Sequence, residues 1–124
     1  MTQTLVIVYL LFIHWIADFV VQTNWQAENK WCSDQALLRH ILSYTAVIFV
    51  AMFVITLDIN YALAVALFNG FTHFWIDLAT SRINHEAMGE KNHHRFFVGV
   101  GLDQALHLSL LLCPVLTTIG RVLP

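Results

Sequence analysis

From Ile41 to Ile55 the only polar side chains are Ser43, Tyr44 and Thr45, all near the start of the run. A helix over this stretch is apolar on nearly every side, which a water-soluble bundle does not allow. Three other stretches share that character, and each is close to the roughly 20 residues that cross a bilayer. Composition agrees, with 58% of the 124 residues hydrophobic and 11% charged, outside the range of ordinary soluble domains. Spans are predicted at about 4–21, 36–57, 61–80 and 96–119. Short links between them imply an all-α, integral membrane antiparallel four-helix bundle, with residues 1–124 as a single transmembrane domain. The connection Asp58-Ile59-Asn60 makes the second and third spans a tight hairpin. The first apolar run lacks a basic n-region and an A-x-A-like cleavage site, so it reads as a retained span.

Charge orients the bundle. Lys30, Arg39, Arg82, Lys91 and Arg95 lie in or beside the polar segments 22–35 and 81–95, against Arg121 alone on the other side. The positive-inside bias places both segments in the cytoplasm and both termini outside. Trp25 and Trp31 suit the interface there. The formal charge of −2 comes with no basic stripe, so no nucleic-acid partner is expected and the bilayer is the expected surrounding. Cys32 and Cys113 fall near opposite faces and have no neighbour at metal-finger spacing, so they read as unpaired thiols. There is no serine nucleophile motif, P-loop or dinucleotide fingerprint.

The apolar spans are interrupted by ionisable residues in a repeated pattern. His14 and Asp18 stand four apart in the first span, and His73 and Asp77 repeat this in the third. In the fourth the order reverses, Asp103 then His107, and His40 lies near the start of the second. Residues four apart share a helix face. At 1.5 Å per residue, Asp18, His40 and Asp77 fall about 5 Å inside their spans, and His14, His73 and Asp103 about 10 Å inside. His107 is somewhat deeper. The reversal follows the chain direction, so all seven occupy the cytoplasmic half. A carboxylate facing lipid is expensive, which turns each face inward and brings the four together.

Three ionised aspartates give −3. Two divalent ions with one hydroxide restore neutrality; three protonated histidines without metal do so too. Imidazole and carboxylate suit zinc, iron or manganese. The candidate metal ligands are therefore His14, Asp18, His40, His73, Asp77, Asp103 and His107, with two ions expected. Gln22, Tyr44 and Gln104 are candidates for holding those imidazoles and carboxylates in orientation, or for simple helix–helix hydrogen bonds. His85, His93 and His94 read as solvated loop residues.

At these residues, with Phe19, Thr23, Trp25, Ala27 and Lys30, the chain resembles a family of small four-span membrane proteins of unknown function from bacteria and their phages. The resemblance implies a multi-pass protein of the bacterial inner membrane and carries no activity. A weaker similarity links it to membrane-bound metal-dependent hydrolases, whose helices also bear histidines and acidic residues. Their H-R-x-x-T-H-S stretch is absent here.

Three functions fit this pattern. A metal pair just inside the cytoplasmic surface can hydrolyse a lipid or lipid-linked substrate, or oxidise one if the metal is iron. Intramembrane His and Asp chains also mark paths for metal ions or protons. A non-catalytic interaction module with a structural His–Asp network is the third. Association into a homo-oligomer is open, since no heptad or G-x-x-x-G face singles out a surface.

Overall fold

The structure, a computed structural model, describes residues 2–118. Among them are α1 (Gln3–Trp15), a π-helical turn (Ile16–Val20), α2 (Asn24–Asn29), α3 (Asp34–Thr56), α4 (Ile59–Gly89) and α5 (His93–Thr118). Four stretches, Gln3–Val20 and the three long helices α3, α4 and α5, are long and apolar enough to cross a membrane. The chain is an all-α bundle with the character of a multi-pass membrane protein. Ile119, the expected end of the fourth span, and Arg121, the expected basic residue on the far side, lie outside the described residues.

Each helix starts on a side chain that accepts from its first free N–H groups. Thr2 caps α1 and Ser33 caps α3, while Asp58 accepts from both Asn60 and Tyr61 to begin α4. Thr23 and Gln26 form a reciprocal capping box on α2. Leu57, in the left-handed region at φ 55°, ends α3, so only Leu57 and Asp58 separate α3 from α4.

α3 packs along α4 and α4 along α5, with α1 bridging α3 and α5. In one half of the bundle Val6, Leu10, Ile48, Met52, Ala62, Ala66, Leu111 and Val115 form a fully buried apolar cluster. The outer faces stay apolar and exposed, as at Phe12, Leu42, Val54, Phe71 and Phe97, which is the surface a lipid solvent requires. The two polar connections share the other end. There Trp31 stacks on His85 with ring centroids 3.5 Å apart.

Two expectations about those connections are corrected. The segment 81–95 is mostly helix: α4 runs on to Gly89 and α5 begins at His93. Polarity there marks the exit from the apolar layer, not the end of the helix. Thr80 and Ala87, two turns apart on one face, remain buried, and no proline or glycine stands between Ser81 and Met88. The segment 22–35 is not a plain loop either, since it holds α2 with Gln26 buried. Cys32 and Cys113 are both free and exposed.

A Cβ on Gly70 would collide with the Thr45 hydroxyl across the α3–α4 contact. Gly70→Ala is therefore expected to lower stability by about 1–3 kcal/mol, and Thr45→Ala to restore most of it in the double variant. Thermal unfolding in detergent measures both. Additive losses would mean that the two positions do not press on each other.

Candidate metal centre

Seven ionisable side chains and the groups that hold them meet at the polar end of the bundle. α1 brings His14, the π-helical turn brings Asp18, α3 brings His40, α4 brings His73 and Asp77, and α5 brings Asp103 and His107. All but Asp103 are buried. The π turn is local to Asp18: Val21 N–H donates to Ile16 C=O at 2.9 Å, five residues back. Such a turn re-aims the side chains around it, and π turns concentrate at functional sites.

At the centre, His40 Nε2 lies 3.0 Å from His73 Nε2. It is also 3.1 Å from Asp18 Oδ1 and 3.3 Å from Asp77 Oδ2. His73 Nε2 is 3.3 Å from Asp18 Oδ1 and 3.5 Å from Asp77 Oδ2. Two imidazole nitrogens and two carboxylate oxygens thus converge from three elements, the π turn, α3 and α4. A tetrahedral ion with bonds of about 2.0–2.1 Å sets its ligand atoms about 3.4 Å apart. These five separations are of that size, and the four residues are a group that can hold a metal ion.

Two adjoining groups share members with the first. Asp77, Asp103 and His107 form one, and His14, Asp18 and His107 the other. His107 is 3% exposed, and neither of its ring nitrogens has a hydrogen-bond partner. Nε2 sits 3.8 Å from Asp77 Oδ1, and Nδ1 sits 3.5 Å from Asp103 Oδ2. A buried imidazole without partners is costly, and a ligand between these groups would remove that cost.

The surrounding polar groups satisfy the rest. Gln104 Nε2 donates to Asp18 Oδ2 at 3.0 Å and to Asp103 Oδ2 at 2.9 Å, while its Oε1 is 3.1 Å from His14 Nε2. The Tyr44 hydroxyl is 3.3 Å from His14 Nδ1, and its ring stacks on His73 at 3.9 Å. Thr80 Oγ1 donates to Asp103 Oδ1. Gln22, the third polar residue expected here, makes no hydrogen bond to the seven. It lines the adjoining cavity, and its Nε2 is buried without a partner. His93 and His94 are exposed, outside the cluster.

The largest addition to the expected set is Lys30. Its Nζ lies 2.8 Å from Asp77 Oδ2, with the lysine side chain 18% exposed. Burial pushes the ammonium down, but Asp77 and Asp18 beside it outweigh this and hold it above the ordinary lysine range. Read as a polar loop, 22–35 made Lys30 a topology signal. In the structure α2 and the turn after it fold back over the site and deliver the charge. Thr80 was also missed, although its place three residues after Asp77 puts it on the same helix face.

A cavity of about 440 Å³ adjoins the centre. Asp18, Lys30, Asp103 and Gln104 face it, and Phe19, Trp31, Phe96 and Val100 supply apolar wall.

Removing one partner of a buried charge pair leaves the other uncompensated. In chelator-treated protein, Lys30→Met is expected to cost about 3 kcal/mol. Added divalent metal should return part of that stability, since it supplies positive charge to the same oxygen. Unfolding midpoints with and without metal test this, and an equal loss in both conditions would contradict it.

No curated protein and no solved structure matches the chain. A family model does: it covers residues 6–122, which takes in all seven clustered residues and Lys30. The chain belongs to that family, DUF3307, described as proteins of unknown function.

Proposed function

We propose that the protein is a membrane-embedded, metal-dependent hydrolase that holds two divalent ions and acts on a lipid or lipid-linked substrate. The observation that carries this reading is the four-donor group of Asp18, His40, His73 and Asp77 at tetrahedral spacing. The partnerless His107 beside it supports a second ion. Asp77 would hold both ions, since its Oδ2 lies in the four-donor group and its Oδ1 is 3.8 Å from His107 Nε2. Asp103 completes the second site, and His14 is held against Asp18 by Tyr44 and Gln104. Zinc, iron and manganese all fit this donor set.

Charge bears on what the site would take up. Asp18, Asp77 and Asp103 give −3 and Lys30 returns +1, so one divalent ion neutralises the site and two bring it to +2. Such a site attracts an anionic substrate. Divalent ions there polarise a phosphoryl or acyl oxygen and activate water. The chain's own contribution is a recess beside the cluster, in which Gln104 and Tyr44 fix the ligand orientations. We place the cavity at the cytoplasmic face of a bacterial inner membrane, following the basic residues of 22–35 and 81–95.

Transport of metal ions or protons is the competing reading, and it needs a polar route through the other half of the bundle. Val6, Leu10, Ile48, Met52, Leu111 and Val115 are fully buried there, which favours a site with a single entrance. A non-catalytic module has no use for a cavity that reaches Asp18 and Asp103.

Metal content of protein purified in detergent, without chelator or His-tag, tests the proposal. The parent should carry about two ions per chain, His107→Ala one, and Asp77→Asn close to none, with helix content unchanged by circular dichroism. The metal found then selects the assay: hydrolysis of lipid phosphates and esters for zinc or manganese, lipid oxidation for iron. A folded parent that takes up no zinc, iron or manganese would sink the reading and leave a metal-free His–Asp network.

A further inference from the structure

Three seams of the bundle are closed along the polar end and one is open. The π-helical turn packs on α3, and α4 packs on both α3 and α5. α1 touches α5 higher up, yet no Cα of Ile16–Val20 comes within 8 Å of a Cα of α5. The cavity fills this parting. Phe19 from the turn and Phe96 and Val100 from α5 supply apolar wall on either side of the parting, Ser81, Asn84 and Met88 of α4 line the cavity too, and Phe19 is 49% exposed. Across the gap the only bridge among the described residues is Gln104, through its bond to Asp18.

The inner end of the cavity offers hydrogen-bond donors. Lys30 spends one N–H on Asp77 and has two more. Gln22 Nε2 is buried, lines the cavity and has no acceptor. A buried amide without a partner marks a place where an acceptor belongs. Glu28 is the one carboxylate of the lining outside the metal group, and it is exposed to solvent.

We propose that this cavity is a binding site for the phosphate headgroup of an anionic lipid, which enters sideways from the bilayer between the π-helical turn and α5. Lys30 and Gln22 hold phosphate oxygens, and the hydrocarbon chain leaves over Phe19, Phe96 and Val100. The charge match rests on the two-ion reading above: a site at +2 is balanced by a phosphate dianion, whereas a neutral ester leaves it unbalanced in an apolar surrounding. Lateral entry rests on the open seam alone. A water-soluble phosphate would need the donors and not the apolar walls.

Native mass spectrometry of the full chain in detergent tests this with three probes: phosphatidic acid, phosphatidylcholine and inorganic phosphate. Metal content is measured on the same samples. The parent should retain one phosphatidic acid per chain, more than about tenfold tighter than phosphatidylcholine. Gln22→Leu, at a residue that hydrogen-bonds to none of the seven, should keep its metal and weaken both phosphatidic acid and inorganic phosphate. Val100→Trp, which fills the seam, should lose phosphatidic acid and still bind inorganic phosphate. Inorganic phosphate binding without phosphatidic acid binding would overturn lateral lipid entry. Equal retention of the two lipids, or no effect of Gln22→Leu with metal intact, would overturn the headgroup site while the metal reading stands. A metal-free parent that still selects phosphatidic acid would sink the metal reading and overturn the charge match proposed here.

Discussion

Three carboxylates inside an apolar bundle must be compensated, and much of the polar end is arranged to do that. Asp18 and Asp77 point at the same two imidazoles, His40 and His73. Gln104 gives one N–H to Asp18 and the other to Asp103. The chain between α1 and α3 folds back so that Lys30 reaches Asp77. Left uncompensated, ionised groups at this burial would cost several kcal/mol each, as much as the net stability of a small domain. The cluster is therefore a condition of the fold as well as a site.

The cluster was legible because two constraints act on the same residues. Four-residue spacing puts His73 and Asp77 on one face, and the reversed order of Asp103 and His107 keeps their depth the same in a helix of opposite direction. Neither signal depends on where a helix starts or stops. What could not be read depends on such local detail. The π turn adds a residue to one turn around Asp18, and nothing in Ile16-Ala17-Asp18-Phe19-Val20 announces it, since no glycine or proline is present. Polar composition at 81–95 suggests a loop, although composition reports the surrounding solvent and not the backbone. The same equation hid Lys30, whose function needs a folded α2 above the site.

The two halves of the bundle divide the work. Close-packed aliphatic side chains from all four long helices fill one half and leave little room for water. The other half is polar, with a cavity at its edge, and its helices part between the π turn and α5. Packing in the first half holds the helix directions on which the 3.0–3.5 Å separations in the second depend. A metal centre on such a scaffold is positioned by helices and not by loops, and its entrance can vary without disturbing the ligands.

The two-residue link between α3 and α4 also bears on how the protein is assembled. The hairpin carries Asp58 as the only ionisable residue on its tip. Its two helices already carry His40, His73 and Asp77, three of the four central residues. α1 precedes it in synthesis and α5 follows, so Asp103 and His107 join a cluster that the earlier spans have begun. The order of synthesis thus spares the membrane a lone carboxylate on α4, because the Asp77 partners Lys30 and His40 are present before the last span arrives.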